Sequence, residues 1–200
     1  MVRIAVLVSG GGTNLQSLID ECAKGHINGE ITLVVSNRLK AYGLERARNA
    51  NIEAVCIKDQ NELLNKLKEA KIDLIVLAGY LAIISDELLA EYKNRIINIH
   101  PSLIPSFCGM GYYGLHVHEA VYARGVKVSG ATVHFVSGEV DGGPIILQEA
   151  RDISSAKSPE EIQQLVLEIE HRILPKAVAL YCDGKLNVKG ARVEILWEER

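Results

Sequence analysis

Two hundred residues, 48% of them hydrophobic and 24% charged, carry a formal net charge of −3. That length suffices for one ordinary globular domain with a substantial core, and so even a charge balance offers no polybasic face for nucleic acid. No apolar run approaches the roughly 20 residues that span a bilayer. The four cysteines, Cys22, Cys56, Cys108 and Cys182, are scattered without a C-x-x-C spacing, which excludes a zinc knuckle or redox pair and fits free thiols in a reducing compartment. The apolar run at residues 3–8 is shorter than a signal peptide, so a cytoplasmic protein is expected.

In chain order, residues 3–8 read as a buried strand and 13–24 as a helix with Leu15, Leu18, Ile19 and Cys22 on one side. A second strand at 31–36 and a helix at 43–50 follow, then a short strand at 53–57 and a helix at 61–71 carrying Leu63, Leu64 and Leu67. Residues 73–78 are the most continuously apolar segment, and 95–99 follow a further helix. Continuous apolar strands alternating with amphipathic helices imply βαβ units and a parallel sheet covered on both faces. The second half differs: a glycine-rich loop at 108–114, a helix at 115–124, and two strands at 128–136 and 144–149 joined through Gly138 and Asp141-Gly142-Gly143. Ser158-Pro159-Glu160-Glu161 predicts a helix start, with Ser158 as N-cap, Pro159 at the first helical position and Glu161 completing a capping box. That helix should run towards Ala179 past Pro175, and residues 186–196 could add a hairpin. The expectation is one doubly wound α/β domain over residues 1–200, mostly parallel, with an antiparallel C-terminal portion.

Ser9-Gly10-Gly11-Gly12-Thr13-Asn14 sits between the first strand and the first helix, where glycines let a backbone approach an anion and the helix N–H groups favour negative charge. A phosphate suits it. A dinucleotide cofactor is the rival reading, but the third glycine position of that fingerprint holds Leu15 and the second strand ends in Ser36-Asn37 rather than an acid. A ligand-free tight turn is the bland alternative.

Asn98 and His100 face one side of a strand end, since side chains alternate. Together they supply an amide donor and a titratable imidazole, the parts that acyl transfer to an amine requires. Asp141 could orient the histidine and raise its pKa. His116, His118 and His134 raise the question of a metal. However, His116 and His118 lie two apart in a helix and do not share a face, and His134 stands among apolar strand neighbours, so none is expected.

The blocks Asn98–Pro105, Gly130–Val136 and Asp141–Gln148 resemble the folate-dependent formyltransferases, and Ser9–Gln16, Ser36-Asn37 and Gly43–Ala47 narrow this to the branch acting on glycinamide ribonucleotide. The resemblance covers essentially the whole chain. It implies a mononucleotide-binding half at about 1–99 and a folate-binding half at about 100–200. It also implies 10-formyltetrahydrofolate as co-substrate, no metal, small-molecule substrates only, no nucleic-acid or membrane partner, and a monomer or homodimer. Asn98, His100 and Asp141 become the catalytic set. A protonated His100 would pair with Asp141 and hold the tetrahedral oxyanion with Asn98, and Asp141 or an ordered water would carry protons. Gly12, Thr13, Asn14 and Glu170 become the ribonucleotide site. Leu81, Ala82, Ile83, Ile84, Asn98, Ser137, Gly138, Glu139, Val140 and Asp141 become the folate site. The resemblance also implies a cis Ile104-Pro105 bond.

Three departures stand out. Ala82 replaces a frequent arginine. The segment after Ile57 is short and lacks a Phe-x-Ser-Arg stretch, which leaves Lys58 as the basic candidate near the folate tail. The loop at 106–114 is longer than in the commonest members, and it is expected to border the active site and move. Two other functions compete. One is a related enzyme, such as a formyl-folate hydrolase or a transferase for another amine. Relatives of these kinds carry an additional terminal domain, and none is expected here. The other is a nucleotide-binding module without chemistry, which the presence of Asn98, His100 and Asp141 disfavours.

Overall fold

The computed structural model describes residues 1–196. The last four positions of the unit expected over 1–200 lie outside the described residues. Strand β1 (Val2–Val8) is central: Ile4, Val6 and Val8 face one hydrophobic cluster, while Ala5 and Leu7 face a second on the opposite side of the sheet. Period-two alternation with both faces apolar explains why this strand reads as a continuous run. Helices α1 (Thr13–Ala23) and α2 (Tyr42–Asn49) cover the first face, the latter following β2 (Gly29–Ser36). Helices α3 (Gln60–Glu69) and α4 (Asp86–Glu91) cover the second, around β3 (Glu53–Cys56) and β4 (Leu74–Leu77). After β5 (Ile96–His100) come α5 (Leu115–Arg124), β6 (Val128–Phe135), β7 (Ile145–Asp152), the long α6 (Pro159–Cys182), and a hairpin of β8 (Leu186–Lys189) and β9 (Arg192–Ile195).

The nine strands of the described residues form one sheet in the order β3-β2-β1-β4-β5-β6-β7-β9-β8. β3, β2, β1, β4 and β5 run parallel, whereas β6 is antiparallel to both β5 and β7. The chain reverses its direction of travel across the sheet between β1 and β4, the switch point at which doubly wound sheets form their crevice, outside the carboxyl ends of the strands. Register places Asn98 opposite His134 and His100 opposite Thr132.

Ser158 caps α6 as the sequence predicts, its Oγ accepting from the Glu161 N–H at 3.3 Å. The reciprocal arm of the expected capping box lands one residue earlier, where Glu161 accepts from the Lys157 N–H at 2.8 Å. Pro175 lies buried inside this helix. Among the described residues no helix is long and apolar enough to cross a membrane.

Gly43 of α2 packs directly on β1 beside the glycine loop. A Cβ there would sit 2.8 Å from Val8 Cγ2, and one on Gly12 would sit 2.7 Å from Gly43 Cα. Gly43→Ala should therefore cost about 1–3 kcal/mol by overpacking. Urea denaturation checks this, and an unchanged midpoint would show that the contact relaxes freely.

Candidate active site

The β5 end, the β6–β7 turn and the long loop converge on His100. Its Nδ1 lies 3.5 Å from Asp141 Oδ2, and its Nε2 lies 3.0 Å from the Phe107 carbonyl oxygen. A carbonyl only accepts, so Nε2 carries a proton and the lone pair of the neutral ring falls on Nδ1, facing the carboxylate. Asp141 sits at φ 56 in the turn; its Oδ2 also accepts from the Gly109 N–H at 2.8 Å. Gly143 lets this turn close, because a Cβ at that position would meet the Phe135 carbonyl oxygen at 1.8 Å. The backbone beyond His100 is pinned from β6 and β7. Thr132 Oγ1 donates to the Ser102 carbonyl at 2.7 Å and accepts from the Ile104 N–H at 3.1 Å. Gln148 Nε2 donates to the Ile104 carbonyl at 2.9 Å. The Ile104-Pro105 bond is cis.

The electrostatics correct one expectation. Burial pulls the His100 pKa below its ordinary value; Asp141 and the Phe107 carbonyl push it up but do not outweigh the loss of hydration. His100 is therefore neutral more often than a solvated histidine, not more often charged as a carboxylate neighbour alone would suggest. Burial also opposes the charged form of Asp141. There, the attraction of His134 and His100 in their protonated forms, together with the Gly109 N–H, prevails and holds the carboxyl below the usual range. A carboxylate so stabilised is a fixed charge near neutral pH and a poor proton carrier.

At the other end of the crevice, Gly12 (φ 71) starts α1. The carbonyls of Gly10 and Gly11 are drawn towards α2: Gly43 N–H donates to the Gly10 oxygen at 3.0 Å and Arg46 Nε to the Gly11 oxygen at 2.8 Å. In a trans peptide the N–H points opposite to the C=O, so the amides of Gly11 and Gly12 turn away from α2, where an anion could meet them. Thr13 is exposed at this rim. Asn14 and Glu170 are brought together across 156 positions of sequence, Nδ2 donating to Oε2 at 2.6 Å.

The expected folate segments are placed less closely. Leu81 and Ile83 are exposed, Ala82 is half-buried and Ile84 buried. The Leu81 N–H donates to Ser9 Oγ at 2.8 Å, and that hydroxyl donates to Asn37 at 2.6 Å, tying this segment to the first loop. Ala82 packs on the same cluster as Val136, next to Ser137. Gly138, Glu139 and Val140 are exposed, and Glu139, Val140 and Asp141 line a cavity of about 630 Å³ with Cys108 and Arg192. Residues 81–84 do not line that cavity. Lys58 is exposed. Among the described residues no group of three or more His, Cys, Asp or Glu could hold a metal.

Several contributors escaped the sequence reading. His134 lies among apolar neighbours in sequence yet faces Asn98, its Nε2 3.1 Å from Asn98 Nδ2. Arg46 belongs to the Gly43–Ala47 motif, but its contact with the Gly11 carbonyl, like that of the Phe107 carbonyl with His100, is not announced by any motif. His118 is buried, its Nδ1 has no hydrogen-bond partner among the described residues, and burial lowers its pKa to about 4. The long loop does border the site, through Phe107 and Gly109.

A family model described as formyl transferase matches residues 2–178. The chloroplastic phosphoribosylglycinamide formyltransferase of Arabidopsis thaliana is 37% identical over 92% of this chain, which spans 67% of that relative. The phosphoribosylglycinamide formyltransferase of Escherichia coli K12 is also 37% identical, over 94% of this chain and 90% of its own. A crystal structure of glycinamide ribonucleotide transformylase 1 from Symbiobacterium toebii superimposes with a TM-score of 0.93 at 42% identity, covering 98% of this chain and 94% of the other.

Glu170 supplies a stability test. Burial raises its pKa from the ordinary 4.5 to about 7, only partly countered by Asn14. A raised carboxyl pKa means that the folded state holds the proton more tightly, so stability falls as pH rises between those two values. A rise of that size corresponds to roughly 3 kcal/mol. Glu170→Gln should unfold later than the parent at pH 8, with the gap closing towards pH 4.5. Thermal melts at both values check this, and a gap independent of pH would refute it.

Proposed function

The chain belongs to the formyl transferase family, and from that membership we propose that it moves the formyl group of 10-formyltetrahydrofolate onto the amine of glycinamide ribonucleotide, a step of purine synthesis. One observation carries this reading. An anion cradle at the end of β1 and an Asn98–His100–Asp141 cluster at the end of β5 lie on the same edge of one sheet. In this reading Gly12, Thr13 and Asn14 hold the phosphate, and Glu170 accepts from the ribose hydroxyls. Leu81, Ala82, Ile83 and Ile84, with Asn98 and the 137–141 turn, border the folate. The assignment of residues 1–99 to the nucleotide and 100–200 to the folate then holds only in outline, because Glu170 and residues 81–84 each serve the other half. The protein acts in the cytoplasm as a monomer or homodimer, without metal, nucleic acid or membrane. Its four free cysteines support that placement.

The substrate amine attacks the formyl carbon, and its proton passes to Nδ1 of neutral His100. The imidazolium so formed pairs with the Asp141 carboxylate, and its positive charge stabilises the new oxyanion while the Asn98 amide donates to it. As the formyl C=O re-forms, the bond to N10 breaks. Its electron pair stays on N10, which takes the proton from His100. The low His100 pKa suits this role, since the ring must start neutral and become charged only as the oxyanion appears.

Hydrolysis of the formyl-folate needs only water, so the two activities separate cleanly. Formate release should be slow in the absence of ribonucleotide, and formyl-folate consumption should rise strongly when it is added. Equal rates of formate release with and without it would make hydrolysis the activity. The catalytic pair is tested by pH. His100 must be neutral to accept the proton, so kcat/KM rises through its pKa, which Asp141 elevates. Asp141→Asn should move that acid limb to lower pH and cut turnover by about a hundredfold. A limb that stays in place, in a protein shown to be folded, would break the pairing.

A further inference from the structure

An asparagine amide has one donating and one accepting end, so Asn98 can hold an oxyanion only if its orientation is fixed. His134, a buried ring that the proposed mechanism does not use, bears on that choice. Its Nδ1 lies 2.8 Å from the Phe135 carbonyl oxygen, an acceptor, and therefore carries the ring proton. In the neutral ring Nε2 is then a lone pair and needs a donor. Asn98 Nδ2, 3.1 Å away, is that donor. Asp141 Oδ1 lies 3.7 Å from the same nitrogen, beyond hydrogen-bond reach. His134 is 1% exposed, which leaves little room for water to compete. Since β5 and β6 pair Asn98 directly with His134, both side chains project from the same face of the sheet.

We propose that His134 is a positioning residue: it accepts one N–H of Asn98, with its own tautomer set by the Phe135 carbonyl, and so leaves the second N–H of that amide to donate to the formyl oxygen. The proposal rests on the reading of Asn98 as an oxyanion donor. Without the lone pair on His134, the amide can turn its oxygen towards the reacting centre, where it repels the developing negative charge.

The first test needs no substitution. Ring 15N shifts of the intact protein should show His134 protonated at Nδ1 and bare at Nε2, and the opposite tautomer would overturn the proposal. The second test is kinetic. His134→Phe keeps the bulk but removes the acceptor; it should lower kcat by about thirtyfold while both KM values stay within about twofold. His134→Gln, whose carbonyl can accept from Asn98, should recover most of the loss. In an Asn98→Ala background His134→Phe should cost nothing further, because its effect passes through the missing amide. Additive losses, or a loss that vanishes in Asp141→Asn instead, would overturn the His134 link alone. Unchanged turnover in Asn98→Ala would overturn the donor role and this proposal with it.

Discussion

The antiparallel pairing of β5 with β6 is the constraint from which the geometry around Asn98 and His100 follows. A sixth parallel strand would need a crossover connection and would carry its chain away from the site. The antiparallel β6 instead runs back alongside β5. It sets Thr132 opposite His100 and His134 opposite Asn98, and delivers the Asp141 turn within a few residues of its own end. Thr132 and Gln148 then fasten the segment after His100. The same pairing that extends the sheet thus supplies the orientation of both polar residues at the end of β5.

Burial and charge compete at each titratable group in the crevice, and they do not settle alike. His100 loses hydration and gains a carboxylate neighbour, and burial prevails. For Asp141, several hydrogen-bond and charge partners act together and prevail over burial. Glu170 has one amide partner, and burial lifts its carboxyl to about 7. Depth and neighbouring charge distinguish the two acids: Glu170 is buried and, among the described residues, accepts from the Asn14 amide, whereas Asp141 is less deeply enclosed, accepts from the Gly109 N–H and has two imidazoles beside it. A ribose in the site could supply hydroxyl donors to it, so ligand binding and ionisation of Glu170 would reinforce one another.

Much of this was legible in the sequence because it is local. The glycine loop after β1, the α5 helix at 115–124, the Ser158 cap and the placement of Asp141 in a turn all follow from residues close to one another in the chain. Alternation along β5 likewise put Asn98 and His100 on one side. What could not be read depends on register and on depth. His134 has apolar sequence neighbours because its strand is buried, and only the pairing of β6 with β5 reveals that its face meets Asn98. The His100 pKa was expected to rise because the carboxylate is visible in the sequence and the desolvation is not. Arg46 was recognised as part of a motif, but its grip on the Gly11 carbonyl depends on how α2 lies against the loop.

The link between the two ends of the crevice is itself a consequence of the fold. α6 begins beyond β7, on the antiparallel side, yet packs against α1, the helix that follows the glycine loop. Glu170 lies midway along α6 and meets Asn14 in the first turn of α1. The proposed ribonucleotide site would therefore be built from both ends of the chain, and its Asn14–Glu170 contact requires α6 to have docked on α1. Because the same sheet edge also presents His100, docking α6 would complete the proposed nucleotide site beside the Asn98–His100–Asp141 cluster, whose own support comes from β6 and β7. In the proposed reaction two substrates would thus be held by separate elements on one sheet edge, which would lower the entropic cost of bringing an amine to a formyl carbon.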